Sequence, residues 1–249
     1  TLSMSFYRGF PDQKINITAS PFNWLEATLF YTNIENIDYA GSLFRQSYKD
    51  KGFNIKYKIF NETDIFPSIA LGLNDFAGTG YYSSEYIVSS YGIKDLDMHF
   101  GIGWGQLSGT ENTIKNPFGY LAESFKNRPI DYKGRGGSLN TSQYFSGERA
   151  TPFYGISYKI NKNLFFKFEK DPMLIDGPRM PYKERRSDYS LGFDYSLNKN
   201  FSIGASYERG GFFALKLVYK NDPKTSKKYE YVSPEVNENE DKYSKLIKN

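Results

Sequence analysis

The stretch Leu96-Asp97-Met98-His99-Phe100-Gly101-Ile102-Gly103-Trp104 alternates large apolar side chains with polar or small ones. A β-strand sends successive side chains to opposite faces, so the apolar groups share one face, while Asp97, His99 and the glycines share the other. The same alternation recurs in residues 53–59, 65–75, 188–197 and 201–208. The stretch therefore predicts one strand of a sheet that is apolar on one face and polar on the other.

Across the whole chain, the alternation predicts about twelve strands and no helix before residue 221. The predicted strands lie near 2–9, 13–20, 24–34, 52–60, 65–76, 81–91, 95–106, 152–160, 164–170, 188–197, 200–209 and 212–220. The chain is therefore predicted to be all-β.

The connections between these strands are sorted by length. Short turns at 20–23, 161–163 and 198–200 fall at one end of the predicted sheet, and long connections at 35–51, 107–151 and 171–187 fall at the other, with short exceptions at 76–80 and 210–211. Bacterial outer-membrane barrels have short periplasmic turns and long outer loops. The sorting favours a transmembrane, antiparallel, up-and-down barrel over a soluble sandwich.

Alternation alone does not say which face meets water, because a soluble β-sandwich also alternates. One face carries nearly all the Leu, Ile, Phe and Trp, and the other carries Gly, Ser, Asn, Asp and Lys, which suits a polar lumen inside a lipid-facing wall. Aromatic residues also lie at predicted strand ends, where a membrane interface favours them. These residues are Phe22, Trp24, Phe60, Phe66, Tyr91 and Tyr219.

Composition excludes several other classes of protein. The chain has 249 residues and no cysteine, so disulfide scaffolds and cysteine-bound metals are excluded, and no metal or cofactor is expected. The 32 basic and 28 acidic residues are too balanced for a dedicated nucleic-acid binder. Residues 221–249 are charged and lack alternation, so we expect a barrel over 1–220 and a charged tail or linker over 221–249.

One region carries a more specific signal. It contains Pro67-Ser-Ile-Ala-Leu-Gly-Leu-Asn-Asp75-Phe-Ala-Gly-Thr-Gly80, then Ser83-Ser-Glu-Tyr-Ile-Val-Ser89, then Gly101-Ile-Gly-Trp-Gly105. It resembles the YjbH family of exopolysaccharide-biosynthesis outer-membrane proteins, whose shared run is P-x-(I/V)-A-x-G-L-x-D-x-x-G-T-G, S-x-E-Y-x-V-x-S and G-x-G-W-G. Because members of that family are longer, the chain resembles their N-terminal barrel region or a short member. The resemblance implies an outer-membrane barrel tied to exopolysaccharide secretion, and it supplies no catalytic residue.

Charged residues on the polar strand faces are candidates for contact with a sugar polymer in the lumen, although they also suit a lumen filled with mutually satisfied charges. Asp75 lies in a glycine-rich turn that is expected to hold its own backbone, with glycines at positive φ. The candidates are Lys56, Lys58, Asp75, Glu85, Asp97, His99, Asp188, Asp194 and Glu208.

The predicted lumen is lined by glycine and serine, so something must fill it. Gly101, Gly103 and Gly105 share one face and predict a close neighbour inside the barrel. The connection 107–150 is the longest in the chain and is rich in basic residues, including Lys133 and Arg135. We expect it to enter the barrel partly from the outer side and to gate it.

The sequence leaves three functions open: a barrel that secretes or assembles exopolysaccharide, a porin-like channel for small solutes, and a soluble glycan-binding sandwich. The first implies a bacterial outer-membrane location, with lipid, exopolysaccharide and periplasmic or lipoprotein export components as partners. A hydrolase would need a serine and an acid beside His99, and Ser190 is available, but no nucleophile motif supports catalysis. We therefore expect no enzyme activity.

Overall fold

The computed structural model describes residues 1–9, 12–38, 46–109, 112–129, 139, 141–173 and 186–222. Lys133, Arg135 and the tail from residue 223 lie outside the described residues, so the expectations about them stay predictions. The described strands are β1 (Leu2–Arg8), β2 (Asp12–Phe22), β3 (Leu25–Asp38), β4 (Ser47–Phe60), β5 (Ser68–Asn74), β6 (Ser84–Ile93), β7 (Leu96–Gly105), β8 (Ile114–Lys115), β9 (Arg149–Lys159), β10 (Leu164–Lys170), β11 (Tyr189–Ser196), β12 (Phe201–Glu208) and β13 (Phe212–Asn221).

Short 3₁₀ helices lie in the connection between β7 and β9, at Pro117–Tyr120, Glu123–Phe125 and Thr141–Gln143. Within the described ranges, no helix is long and apolar enough to cross a membrane.

Twelve of the strands form one closed antiparallel barrel. Each pairs with its neighbour along the chain, β7 pairs with β9, and β1 pairs with β13, with Leu2 opposite Asn221. The two-residue strand β8 pairs only with β9, outside this ring. Closure leaves no open strand edge in hydrocarbon, where unpaired backbone groups would be costly. The prediction of an all-β, up-and-down barrel of about twelve strands is confirmed.

All twelve predicted strands are present, and their bounds differ most at the connection between β3 and β4 and at the start of β5. Strand β4 begins at Ser47, earlier than predicted, and β5 begins at Ser68 rather than at residue 65. Residues 61–67 instead form a turn in which the Thr63 amide donates to the Phe66 carbonyl at 2.9 Å. Pro67, which has no amide hydrogen to donate to a ladder, marks the end of this turn.

The pairing register fixes the direction of every strand face. Leu96, Met98 and Phe100 share the outer face with their partners on β9, and Phe100 is 56% exposed. Asp97 and His99 point into the lumen, opposite Ser157 and Gly155. Large apolar side chains cover the outer face of the other strands in the same way, as the inside-out interpretation requires.

The sorting of connections also matches the prediction. The short connections 23–24, 94–95, 160–163 and 197–200 lie at one end, together with the turn 61–67, the start of β1 and the end of β13. The connections 75–83, 106–148 and 171–188 lie at the other end, beside the short 209–211. In barrels of this class the first end faces the periplasm, and the two ends are called here the periplasmic and the outer end.

We predict that cysteines placed at 97 and 99 react faster with a water-soluble maleimide than cysteines at 98 and 100, because the first pair faces a wet lumen and the second faces lipid. The chain has no native cysteine, so single variants of the barrel in lipid vesicles report one site each. Faster labelling at 98 and 100 would mean that the faces are reversed.

Candidate functional site

The periplasmic half of the lumen is wet and charged. Lys56, Asp97 and His99 point into it and are exposed, and Lys58 is half-buried. Asp194 forms an ion pair with Lys167, and Lys216 lies 3.7 Å from the same carboxylate. The register therefore places five of the predicted candidates (Lys56, Lys58, Asp97, His99 and Asp194) in one accessible vestibule, which we call the periplasmic vestibule.

The outer half of the lumen is closed. Ile34, Thr32 and Asp50 face inward on β3 and β4 and have no exposed surface. Whatever closes this half must lie inside the barrel, because the outer faces of these strands contact the surroundings.

The material that fills the outer half is the connection between β5 and β6, residues 75–83, which we call the plug turn. Thr79 donates a hydrogen bond from Oγ1 to Asp50, and its amide donates to the Lys51 carbonyl at 3.2 Å. At the far end of the turn, Tyr82 Oη donates to Asp12 Oδ1 on β2 at 2.5 Å. The plug turn is thus fixed to two separate parts of the lumen wall.

Aromatic packing reinforces this attachment. Tyr81 and Tyr82 pack with Phe30 and Ile34 in a cluster of buried residues, and the two tyrosine rings lie 5.2 Å apart. Lys14, which forms an ion pair with Asp12 at 2.9 Å, also holds its Nζ 4.3 Å from the centre of the Tyr82 ring. A cation above an aromatic face is favourable where water is excluded. The plug turn is therefore packed as well as hydrogen-bonded.

Glycines bring the plug turn against the wall. A Cβ atom on Gly78 would lie 2.6 Å from the Cα of Gly52 on β4, which is shorter than the contacts that real Cβ atoms make. Gly80 adopts a φ of 84°, a positive value that the sequence leads us to expect in this turn. Gly78 is required for a different reason, because the backbone of β4 lies too close to leave room for a side chain. Asp75 accepts a hydrogen bond from the Tyr82 amide at 3.2 Å, as the sequence predicts.

Asp75 is an unusual carboxyl group, since it is 3% exposed and one of its oxygens, Oδ1, has no hydrogen-bond partner among the described residues. Burial and the negative charge of Asp50 raise the pKa of Asp75 to about 8, although backbone amides of Tyr82, Gly80 and Tyr81 lower it. The closed plug turn therefore favours the protonated form of Asp75.

A second buried network closes the lumen beside the plug turn. Arg209 lies 2.6 Å from Asp171 and 3.7 Å from Glu208, and Tyr7 donates to Glu208 at 2.6 Å. Glu208 therefore lies in this network at the outer end rather than along an open lumen. Asp188 lies in the connection before β11, where its carbonyl accepts from the Asp171 amide at 2.7 Å.

Glu85 is a correction to the predicted site. It is paired in register with Trp104 and with Leu73, so it shares the outer face of the barrel and does not line the lumen. Arg128 binds both of its carboxylate oxygens, at 2.7 and 2.9 Å, and the Phe145 amide donates to it at 2.9 Å. Glu85 is 1% exposed. Its role in the structure is to anchor a loop.

The anchored loop is the connection between β7 and β9. Trp104 is 1% exposed, although its strand face is the lipid-facing one, because Phe118 and Phe145 cover its ring at 5.4 and 5.2 Å. Asn116 accepts from the Trp104 indole at 2.9 Å and donates to the carbonyls of three loop residues, Phe125, Phe145 and Gly147. The segments 112–129 and 141–148 therefore form a small lobe on the outer wall, which we call the rim lobe.

The gating hypothesis changes accordingly. The nine-residue plug turn occupies the outer part of the lumen, so 107–150 is not the only connection that reaches it, and the gating role of 107–150 stays a prediction. Phe118 and Phe145 of the loop cover the outward-facing Trp104, whereas Leu107 lies against the lumen-facing Gly103 and the Tyr144 hydroxyl donates to the Phe76 carbonyl of the plug turn at 3.1 Å. Lys133 and Arg135 lie outside the described residues. The three glycines that predicted a close neighbour each have one: the Phe153 ring lies against Gly101, Leu107 lies against Gly103, and Ser83 and Arg128 lie against Gly105.

His99 is not brought to the serine proposed for a hydrolase. Its Nδ1 lies 2.8 Å from the Ser90 hydroxyl, and Ser190 lies three strands away on β11, where its hydroxyl accepts from the Arg209 amide at 3.2 Å. Among the described residues, no group of three or more His, Asp or Glu is placed to hold a metal ion.

These features define the class of the protein: an outer-membrane β-barrel whose lumen is open toward the periplasm and filled at its outer end by its own turn. The chain belongs to the YjbH family, whose profile, described as "Exopolysaccharide biosynthesis protein YbjH", matches residues 1–247. An Escherichia coli (strain K12) relative, "Uncharacterized lipoprotein YjbH", is 32% identical over 81% of the chain. The aligned part spans 29% of that relative.

Three solved structures of outer-membrane proteins are similar to this chain at low sequence identity. NanC porin matches with a TM-score of 0.46 and 10% identity, over 89% of this chain and 100% of its own. KdgM porin matches with a TM-score of 0.45 and 10% identity, over 88% and 99%. OprD from Pseudomonas aeruginosa matches with a TM-score of 0.31 and 12% identity, over 86% and 61%.

We predict that the plug turn becomes easier to release as the pH rises. A carboxyl group with a raised pKa in the closed state binds more protons there than in the released state, so closure is strongest below about pH 4 and weakens up to about pH 8. Hydrogen exchange of the Tyr82 amide should accelerate over this range, beyond its intrinsic dependence on pH. In Asp75→Asn, which keeps an acceptor for that amide, the extra dependence should become clearly smaller; if it is unchanged, Asp75 is not the group responsible.

We also predict that Glu85→Gln loosens the rim lobe, because Arg128 then keeps a largely buried charge without its partner. The cost should be about 2–5 kcal/mol, seen as faster hydrogen exchange in segments 112–129 and 141–148. Glu123→Gln is the matched control, since Glu123 pairs with Lys126 on the surface, where a pair contributes at most about 1 kcal/mol. Equal effects of the two variants would contradict the anchoring role of Glu85.

Proposed function

We propose that this barrel is a gated passage through which exopolysaccharide crosses, or is assembled at, the outer membrane. The observation that carries the proposal is the lumen itself: a polar vestibule opens toward the periplasm, and a built turn closes the opposite end. Membership of the exopolysaccharide family supports the same substrate. The periplasmic vestibule receives the polymer, and movement of the plug turn opens the exit.

A passive porin for small solutes fits the described lumen less well. In such a channel the lumen stays open, whereas here Tyr82, Thr79 and Asp75 lie inside the barrel and Ile34 is fully buried behind them. The plug turn is held by several hydrogen bonds and by aromatic packing, so a partner or a polymer chain that opens it must bind the released form tightly enough to offset these contacts.

The proposed role needs no catalytic group, so we infer that the barrel acts as a non-enzymatic passage. Its partners are expected among periplasmic or lipoprotein export components, since the E. coli relative carries the name of a lipoprotein and extends well beyond the part aligned here. In this proposal the barrel supplies the passage and the partners supply the polymer.

A blocking experiment tests the passage directly. The double variant His99→Trp, Ser157→Trp places bulky side chains in the lumen on two adjacent strands, and it should lower the amount of polymer on the surface of producing cells. The control is Phe100→Trp with Tyr158→Trp. These positions follow 99 and 157 by one residue and therefore face lipid, so secretion should be unchanged. With equal amounts of heat-modifiable barrel in the membrane, normal secretion in the lumen variant would overturn the proposal.

Conductance separates the two candidate gates. We predict that replacing residues 76–82 with two glycines raises single-channel conductance in planar bilayers more than deleting residues 112–145 does, because the plug turn fills the lumen and the described rim lobe lies on the outer wall. The gating hypothesis drawn from the sequence predicts the reverse order. If neither deletion raises conductance, another segment closes the barrel.

A further inference from the structure

Two aromatic rings face the lumen between the plug turn and the periplasmic opening. Tyr86 on β6 and Phe153 on β9 are half-buried, and their rings meet edge to face with centres 6.2 Å apart. Both residues occupy inward-facing positions of the register, opposite Gly72 and Gly101. We call this pair the lumen platform.

The wall is shaped to hold these rings. Ring atoms of Tyr86 lie 2.1 Å from the place where a Cβ on Gly72 would sit, and those of Phe153 lie 2.3 Å from the corresponding place on Gly101. Any larger residue at either glycine would push the ring away from the wall. The rings therefore lie close to the glycine backbone of the wall, and both residues remain partly exposed.

Two lysines lie beside the platform and form no ion pair within 4 Å in the described part of the chain. Lys56 and Lys58 face the lumen on β4, in register with Gly72 and Ala70 of β5. Strand β5 lies between β4 and β6, the strand that carries Tyr86. Among the described residues, neither lysine forms an ion pair, although Glu26 lies opposite Lys56. Lys167 and Lys216, in contrast, both lie within 4 Å of Asp194. We call Lys56 and Lys58 the lysine pair.

A sugar ring packs its C–H face against an aromatic ring, and a lysine ammonium binds an anionic group in a partly enclosed site. We propose that the lumen platform and the lysine pair form a binding subsite for an acidic sugar, one that carries a carboxylate or another anionic substituent. This inference rests on the proposed function and names the class of polymer that the passage takes.

The experiment is calorimetric binding to the full chain in detergent micelles, with hexagalacturonate as the acidic probe and maltohexaose as the neutral probe of equal length. The acidic probe should bind more tightly, and added salt should weaken it. Lys56→Gln with Lys58→Gln should reduce its affinity by about fivefold, the upper range for exposed charge pairs, and leave the neutral probe unchanged. Phe153→Leu should weaken both probes.

Lys162→Gln with Lys199→Gln is the matched control, because it removes the same charge from periplasmic turns outside the lumen. Heat modifiability on gels confirms that each variant is folded. Equal binding of the two probes, or equal loss in the lumen and turn variants, would overturn the inference. Binding does not depend on transport, so a barrel that binds the acidic probe but fails the blocking experiment would overturn the proposed function alone.

Discussion

The rest of the structure depends on one constraint, which is that no strand edge can be left open in hydrocarbon. Unpaired amide and carbonyl groups are costly there, so the first and last strands must meet, as β1 and β13 do. Once the sheet is closed, each strand has one face toward lipid and one toward an interior. Alternation then places Phe100 on the lipid-facing side and His99 on the lumen side. The chemistry of the lumen follows from this division.

A closed wall of twelve strands leaves an interior that side chains fill only in part. At the outer end this chain fills it with its own backbone, in the plug turn, and buries Asp75 and Asp50 in doing so. Buried carboxyl groups with unpaired oxygens are a poor way to maximise stability. They suit a segment that leaves its site, because ionisation in water becomes favourable on release. The periplasmic vestibule, in contrast, is exposed and keeps its charges accessible.

How much of this the sequence predicts depends on the range of the interactions involved. Strand positions and facing come from alternation and from turns of a few residues, which are local, and they were predicted well. Glu85 was predicted to line the lumen because it is charged. Its position in the strand indicates the opposite, since it lies two residues before Ile87 and the two side chains share the outer face. Strand β6 also carries Tyr86 and Val88 on its inner face, which blurs the alternation.

The plug turn was outside the reach of the sequence for a different reason. Its partner Asp12 lies 70 residues from Tyr82, and no local pattern encodes that contact. The adjacent tyrosines 81 and 82 were the available signal, since two large aromatic residues in a short connection need a place to be buried. The lumen platform had a similar signal in the glycines, which predicted a close neighbour without identifying it.

A cysteine crosslink tests the central claim, that the plug turn lies inside the barrel. Thr79 contacts Asp50, which faces the lumen, whereas the next residue, Lys51, faces outward. In a chain without native cysteine, the pair Asp50→Cys and Thr79→Cys should form a disulfide under mild oxidation in the folded barrel. The control pair Lys51→Cys and Thr79→Cys should not. A disulfide in the control pair, or none between 50 and 79 in heat-modifiable barrels, would show that the turn lies outside the lumen.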